Sequence, residues 1–258
     1  MKNLFFILLV ALPTFLMAQQ QPIPSAVYEW KMLPVHADAA KETRHIIDGP
    51  TETLNNFRIE HYLLAEGKSM TVKKGEEKLI LIGSGELLIN QGNESGRMGS
   101  RSVAWASKEK AVKIQQAGDK ETAFFVIEWD AEKVGDAFTP KNSTLTIYDY
   151  DELAFRKTAK GGRRDVERAP TPTLQELEMH ITTLNEGEKS HDPHVHADEE
   201  IILVLQGKVE EMVNGEPYLL GTGSVIYLHA MDPHGIRNAG EGACEYYAIR
   251  WITKLTGK

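Results

Sequence analysis

The chain predicts an all-β protein made of two tandem barrels, and three observations carry that prediction. Short runs with strand periodicity recur between turn residues, helix signals are sparse, and the sequence repeats itself. Shifted along itself, Pro50-Thr51-Glu52-Thr53-Leu54 falls on Pro170-Thr171-Pro172-Thr173-Leu174, and Gly67 falls on Gly187. After a short gap the register resumes and holds. It puts Gly85 on Gly207, Glu94 on Glu216, Gly99 on Gly221, Ser102-Val103 on Ser224-Val225, and Trp129 on Trp251. Glycines and closing tryptophans matched in one register mark a duplicated unit.

In chain order, residues 1–18 come first. Lys2 is followed by an apolar run, interrupted by Pro13, and then by Ala18, which is the layout of a secretory signal peptide. The run is short for crossing a bilayer and has no basic flank beyond it. The expected mature chain is therefore exported, periplasmic or secreted, with no membrane span. The first unit covers 28–130, a connector 131–147 contains Phe138-Thr139-Pro140-Lys141-Asn142-Ser143, and the second unit covers 148–253.

The strands of the second unit are the easiest to read. Leu177, Met179 and Ile181 alternate with Glu178, His180 and Thr182, the period of a half-buried strand. Ile201 to Leu205 is a continuous apolar run, as in a strand covered on both faces. Asn214-Gly215 between Val209–Val213 and Tyr218–Leu220 reads as a hairpin, because both central residues of its turn need positive φ. Ser224–Leu228 and Tyr246–Trp251 supply two more strands. Many short strands of this kind close into a sandwich or barrel.

The formal net charge is −8, and no basic block stands out. That argues against a nucleic-acid partner. Lys157, Lys160, Arg163, Arg164 and Arg168 form one local basic stretch interleaved with glycine, read as a solvated connector. The single Cys244 excludes an internal disulfide and sits in an apolar strand pattern, so a buried, inert thiol is expected.

Histidines concentrate in the second unit. His194, His196 and Glu200 share one strand parity and so point the same way from an extended segment, and His234 follows shortly after Asp232-Pro233. Imidazoles plus a carboxylate suit a first-row transition metal or zinc better than calcium or magnesium. The same shift carries these four positions onto Val72, Lys74, Lys78 and Val112 of the first unit, none of them a plausible ligand. The first unit keeps the framework and lacks the chemistry.

Gly187, His194, His196, Glu200 and Gly207, followed by Gly223, His234 and Asn238, resemble the paired motifs of the cupin superfamily in its two-barrel form. The fit is not perfect. One extra residue separates Gly187 from His194, His229 stands where the family has proline, and Met231 where it has glycine. The resemblance implies tandem double-stranded β-helix (jelly-roll) cupin barrels. It also implies one divalent metal, with Mn, Fe, Zn and Ni not distinguished, on His194, His196, Glu200 and His234. Two-barrel members of the superfamily include enzymes acting on oxalate, quercetin and ureidoglycine.

Among neighbouring residues, His229 is the candidate acid or base at the cavity mouth, with a surface turn residue as the plainer alternative. His191 reads as a solvated loop histidine, Glu199 as an outward charge, and Arg250 as an exposed arginine that could instead face a carboxylate. Gln206 and Tyr227 are assigned to strands lining the cavity, either orienting a ligand or packing. Two functions stay open. One is a metalloenzyme acting on a small carboxylated, hydroxylated or ureido compound; the other is a non-catalytic binding or sensor protein with a structural metal. A homodimer also stays open, since pairing within one chain could already cover the sheet edges.

Overall fold

The computed structural model describes residues 21–134 and 144–257. The signal-peptide reading and the connector motif 138–143 lie outside them. Among the described residues there is no α-helix and no helix long and apolar enough to cross a membrane. The fold is a cupin jelly roll, nearly all strand.

Two seven-stranded sheets repeat the same order of strands. One runs Leu145–Tyr148, Val103–Ala106, Glu77–Ser84, Thr122–Asp130, Asn56–Leu64, Lys41–Gly49, His36–Ala37. The other runs Ala26–Tyr28, Val225–Leu228, Glu199–Gln206, Cys244–Ile252, Glu176–Leu184, Gly161–Ala169, Phe155–Thr158. Each faces a smaller sheet, built upstream around Glu86–Gln91 and downstream around Lys208–Val213. The hairpin at Asn214-Gly215 forms as expected, with φ of 51° and 86°.

The first strand of each order is exchanged. Ala26–Tyr28 pairs with Val225–Leu228 of the downstream sheet, while Leu145–Tyr148 pairs with Val103–Ala106 of the upstream one. Short 3₁₀ turns follow both strands in equivalent places. The Trp30 N–H donates to Ser224 Oγ and the Tyr150 N–H to Ser102 Oγ, each at 3.1 Å. The Trp30 ring lies on Gly223, whose φ is +87° and whose Cβ, if present, would come within 2.7 Å of the indole.

The two large sheets pack face to face over a shared apolar core that includes Phe57, Leu79, Trp129, Leu177, Ile201 and Trp251. Within it lie two reciprocal clasps. The Glu199 carboxylate accepts from Thr51 Oγ1 (2.9 Å), the Glu52 and Thr53 N–H groups (3.1 and 3.2 Å), Trp251 Nε1 (3.2 Å), Thr53 Oγ1 and the Tyr227 hydroxyl. Its counterpart Glu77 accepts from Thr171 Oγ1 (2.7 Å), Thr173 Oγ1 (2.5 Å) and Trp129 Nε1 (3.1 Å). Each half thus sends a carboxylate into the other half's Thr-x-Thr turn, which explains why that tripeptide and the closing tryptophans recur.

Glu199 is therefore not an outward solvated charge. It does point away from its own barrel, but that face is the interface between the halves, and the side chain is fully buried.

Candidate metal centre

Two Asp-Pro-His tripeptides build the centre. Asp192-Pro193-His194 and Asp232-Pro233-His234 run antiparallel, and His194 and His234 exchange both backbone hydrogen bonds, at 3.0 and 3.1 Å. Pro193 packs against Gly235, where a Cβ would meet its Cα at 3.1 Å, so the glycine lets the two segments touch. Met231 anchors the second segment by donating its N–H to the His196 carbonyl (2.8 Å), with φ at 64°. That left-handed conformation explains why the family pattern has glycine there.

His194, His196 and His234 come together with one ring nitrogen each inside a 4.8 Å span. His194 is exposed, His196 half-buried and His234 buried. His196 Nδ1 and His234 Nδ1 each meet a backbone carbonyl two residues away, Asp198 O at 2.7 Å and Asp232 O at 2.8 Å. Protons on Nδ1 leave the Nε2 lone pairs free to bind. Those Nε2 atoms face Glu200 Oε2, at 3.3 Å from His196 and 3.6 Å from His234. His234 Nε2 is buried without a hydrogen-bond partner, so a lone pair there is available to a cation. Burial alone would raise the Glu200 carboxyl, yet with no metal bound the His196 and His234 rings, when they also carry a proton on Nε2, bring it down to about 2. An anionic oxygen and imidazole nitrogens fit a divalent transition metal.

The centre opens into a cavity of about 600 Å³. Glu178, His180 and Thr182 line it, while Leu177, Met179 and Ile181 enter the core between the sheets. The predicted alternation is present, but its polar face looks into the barrel. Arg250 also lines the cavity, half-buried, bonded to Glu178 and 3.0 Å from Asp198 Oδ2, so it is not simply exposed. His191 lies at the rim, its ring 4.1 Å from that of His194.

Three predicted residues lie elsewhere. Tyr227 bonds Glu199 in the interface, and Gln206 accepts from Arg101 at 2.7 Å; both point away from the cavity their strands enclose. His229 is not among the cavity-lining residues. Its Nε2 lies 3.6 Å from Glu52 and its N–H donates to Ser25 Oγ. Cys244 is buried as expected, its thiol pushed up by burial to about 11.

Several cavity residues were missed, among them Arg163, read as part of a solvated connector, and Glu211. Glu211 is 1 % exposed, lines the cavity, and has an Oε2 without a partner. Burial, reinforced by the Glu200 charge, holds its carboxyl well above the usual range. The signal was present in the sequence: Glu211 sits at the parity of Val209 and Val213, a carboxylate on an apolar face.

The upstream barrel holds a reversed version of the centre. Glu128 there lies across from Lys78 and Arg58, whereas downstream Arg250 lies across from Glu200 and Glu178. The Lys78 ammonium, fully buried, donates to the Lys73 carbonyl at 2.7 Å and lies 3.2 Å from Glu128. A resident cation thus stands where the downstream barrel has the Glu200 carboxylate.

Residues 180–250 match the cupin domain family. Solved structures of similar fold include oxalate decarboxylase from Lactobacillus farciminis in a formate complex. Its TM-score is 0.71 at 10% identity, covering 92% of this chain and 89% of that one. Protein Ylba from E. coli has a TM-score of 0.70 at 12% identity, covering 89% and 91%. AerE from Microcystis aeruginosa has 0.66 at 13%, covering 89% and 97%. At these identities the likeness is one of fold. No curated protein matches the chain by sequence.

Proposed function

We propose that the downstream barrel is a single-metal centre held by His194, His196, His234 and Glu200, and that the protein is an exported metalloenzyme acting on a small polar compound. The observation that carries this reading is the orphaned, buried Nε2 of His234 facing a carboxylate in the wall of a cavity. A metal bound there would polarise a carbonyl or acidify a water molecule.

The remaining roles belong to the chain. Arg250 and Arg163 line the cavity with their charges fully offset by Glu178, Asp165 and Asp198. That balance suits a neutral or singly charged carboxylated, hydroxylated or ureido compound. Glu211, its carboxyl raised by burial, faces the occupant and can exchange a proton with it. His229, held against Glu52, is left without that task. Export rests on the reading of residues 1–18 as a signal peptide.

The test is elemental analysis of protein purified from its own host, beside His234→Ala. About one equivalent of Mn, Fe, Zn or Ni in the native protein is expected, lost in the variant with little change in melting. A native protein without metal overturns the reading. Loss of metal accompanied by unfolding favours the second reading, a binding or sensor protein whose metal is structural.

A further inference from the structure

The loop that presents His234 is fastened by the N-terminal end of the chain. Ser25 Oγ donates to Asp232 Oδ2 at 2.6 Å and accepts the His229 N–H at 2.8 Å. One hydroxyl thereby ties both ends of the segment His229–Asp232, which an Asp232 N–H to His229 carbonyl bond of 3.2 Å closes into a turn. Ser25 is held in place because the next three residues, Ala26–Tyr28, form the edge strand of the downstream sheet, paired with Val225–Leu228.

From Asp232 the path to the centre is one bond long, since its backbone carbonyl receives His234 Nδ1 at 2.8 Å. A metal-binding imidazole is oriented by the partner of its other nitrogen. The same turn reaches a second histidine, because the Met231 N–H donates to the His196 carbonyl.

The upstream half provides an internal control. There Leu145 stands in the place of Ser25 and Lys110 in that of Asp232, and the equivalent strand is joined by a backbone bond, Ser107 N–H to the Thr144 carbonyl at 2.8 Å. Upstream the side-chain tie runs instead from Glu94, which accepts the Thr144 and Leu145 N–H groups at 2.8 and 2.9 Å; the hydroxyl-to-Asp232 tie belongs to the downstream half.

We infer that Ser25 is a positioning residue for the metal centre, acting through Asp232 to hold the His234 ring, and that the exchanged strand thereby sets metal affinity. The inference rests on the metal reading above. It is tested with Co²⁺, whose visible absorption reports ligand geometry, on metal-free full-length protein. Ser25→Ala is expected to weaken Co²⁺ binding about tenfold, the usual effect of removing such a supporting contact. Its absorption bands should change while melting of the metal-free protein stays unchanged, and Ser25→Thr, which keeps the hydroxyl, should restore both affinity and spectrum. Equal Co²⁺ affinity and spectrum in wild type and Ser25→Ala overturn the inference and leave the metal reading intact. A lower metal-free melting temperature with unaltered Co²⁺ binding also overturns it, reducing the latch to a sheet contact. Failure of the wild type to bind Co²⁺ overturns the metal reading itself.

Discussion

Glu211 shares a strand face with Val209 and Val213 but carries a carboxyl group, and Ile89 stands at the matching place upstream. A buried carboxyl with an unpaired oxygen lowers stability. Glu211→Ile should therefore raise stability by about 1–3 kcal/mol in urea unfolding while leaving metal content intact. A variant no more stable than wild type would show that the pocket already satisfies the carboxyl. Two buried imidazoles add a pH dependence. Burial, aided by Arg44, lowers His61 to about 3, and burial, aided by Arg163, lowers His180 to about 4. Unfolded chains then bind more protons than folded ones below the ordinary imidazole value. Stability is full above about pH 6.5 and falls as pH drops toward those folded values, by an order of a few kcal/mol. His61→Phe, which preserves the edge contacts with Trp30 and Phe125, should flatten that slope between about pH 6 and 3. An unchanged urea-midpoint profile would refute the assignment.

At the level of strands, the cross-strand triplets of the two halves carry opposite charges: Arg58, Glu128 and Lys78 against Glu178, Arg250 and Glu200. Transplanting ligands alone should therefore fail. Val72→His, Lys74→His, Lys78→Glu and Val112→His together should give no second Co²⁺ equivalent, because Glu128 would oppose the new carboxylate. Adding Glu128→Arg and Arg58→Glu should permit uptake. A second equivalent with the four changes alone would refute the charge argument. Strand positions, the hairpin and the clustering of His194, His196 and His234 were legible because period and spacing are local properties. The direction of each face was not. Glu178 and His180 look polar and therefore solvated, and only the closure of the barrel reveals that their side is the inner one. Tyr227 and Gln206 were misplaced for the same reason.

Across the whole molecule, Glu199 and Glu77 join the halves, and no reading of one half alone could have shown it. Outward parity was legible for Glu199; a partner surface waiting there was not, since its donors Thr51 and Thr53 lie far upstream. Removing one member of such a buried set is costly. Glu199→Ala should lower stability by about 3 kcal/mol or more, and Thr53→Val by about 1–2 kcal/mol. Calorimetric melting checks both, and a near-neutral Glu199→Ala would mean that the apolar core alone holds the sheets together.

The exchanged edge strands carry a consequence for inheritance. Each half completes its main sheet with a piece encoded ahead of the other, so a gene that discarded the chemically idle half would also strip the working one of its supporting wall. Harmful variants should then be scattered through both halves, and those far from the histidines would be mistaken for remote control when they merely weaken a shared frame.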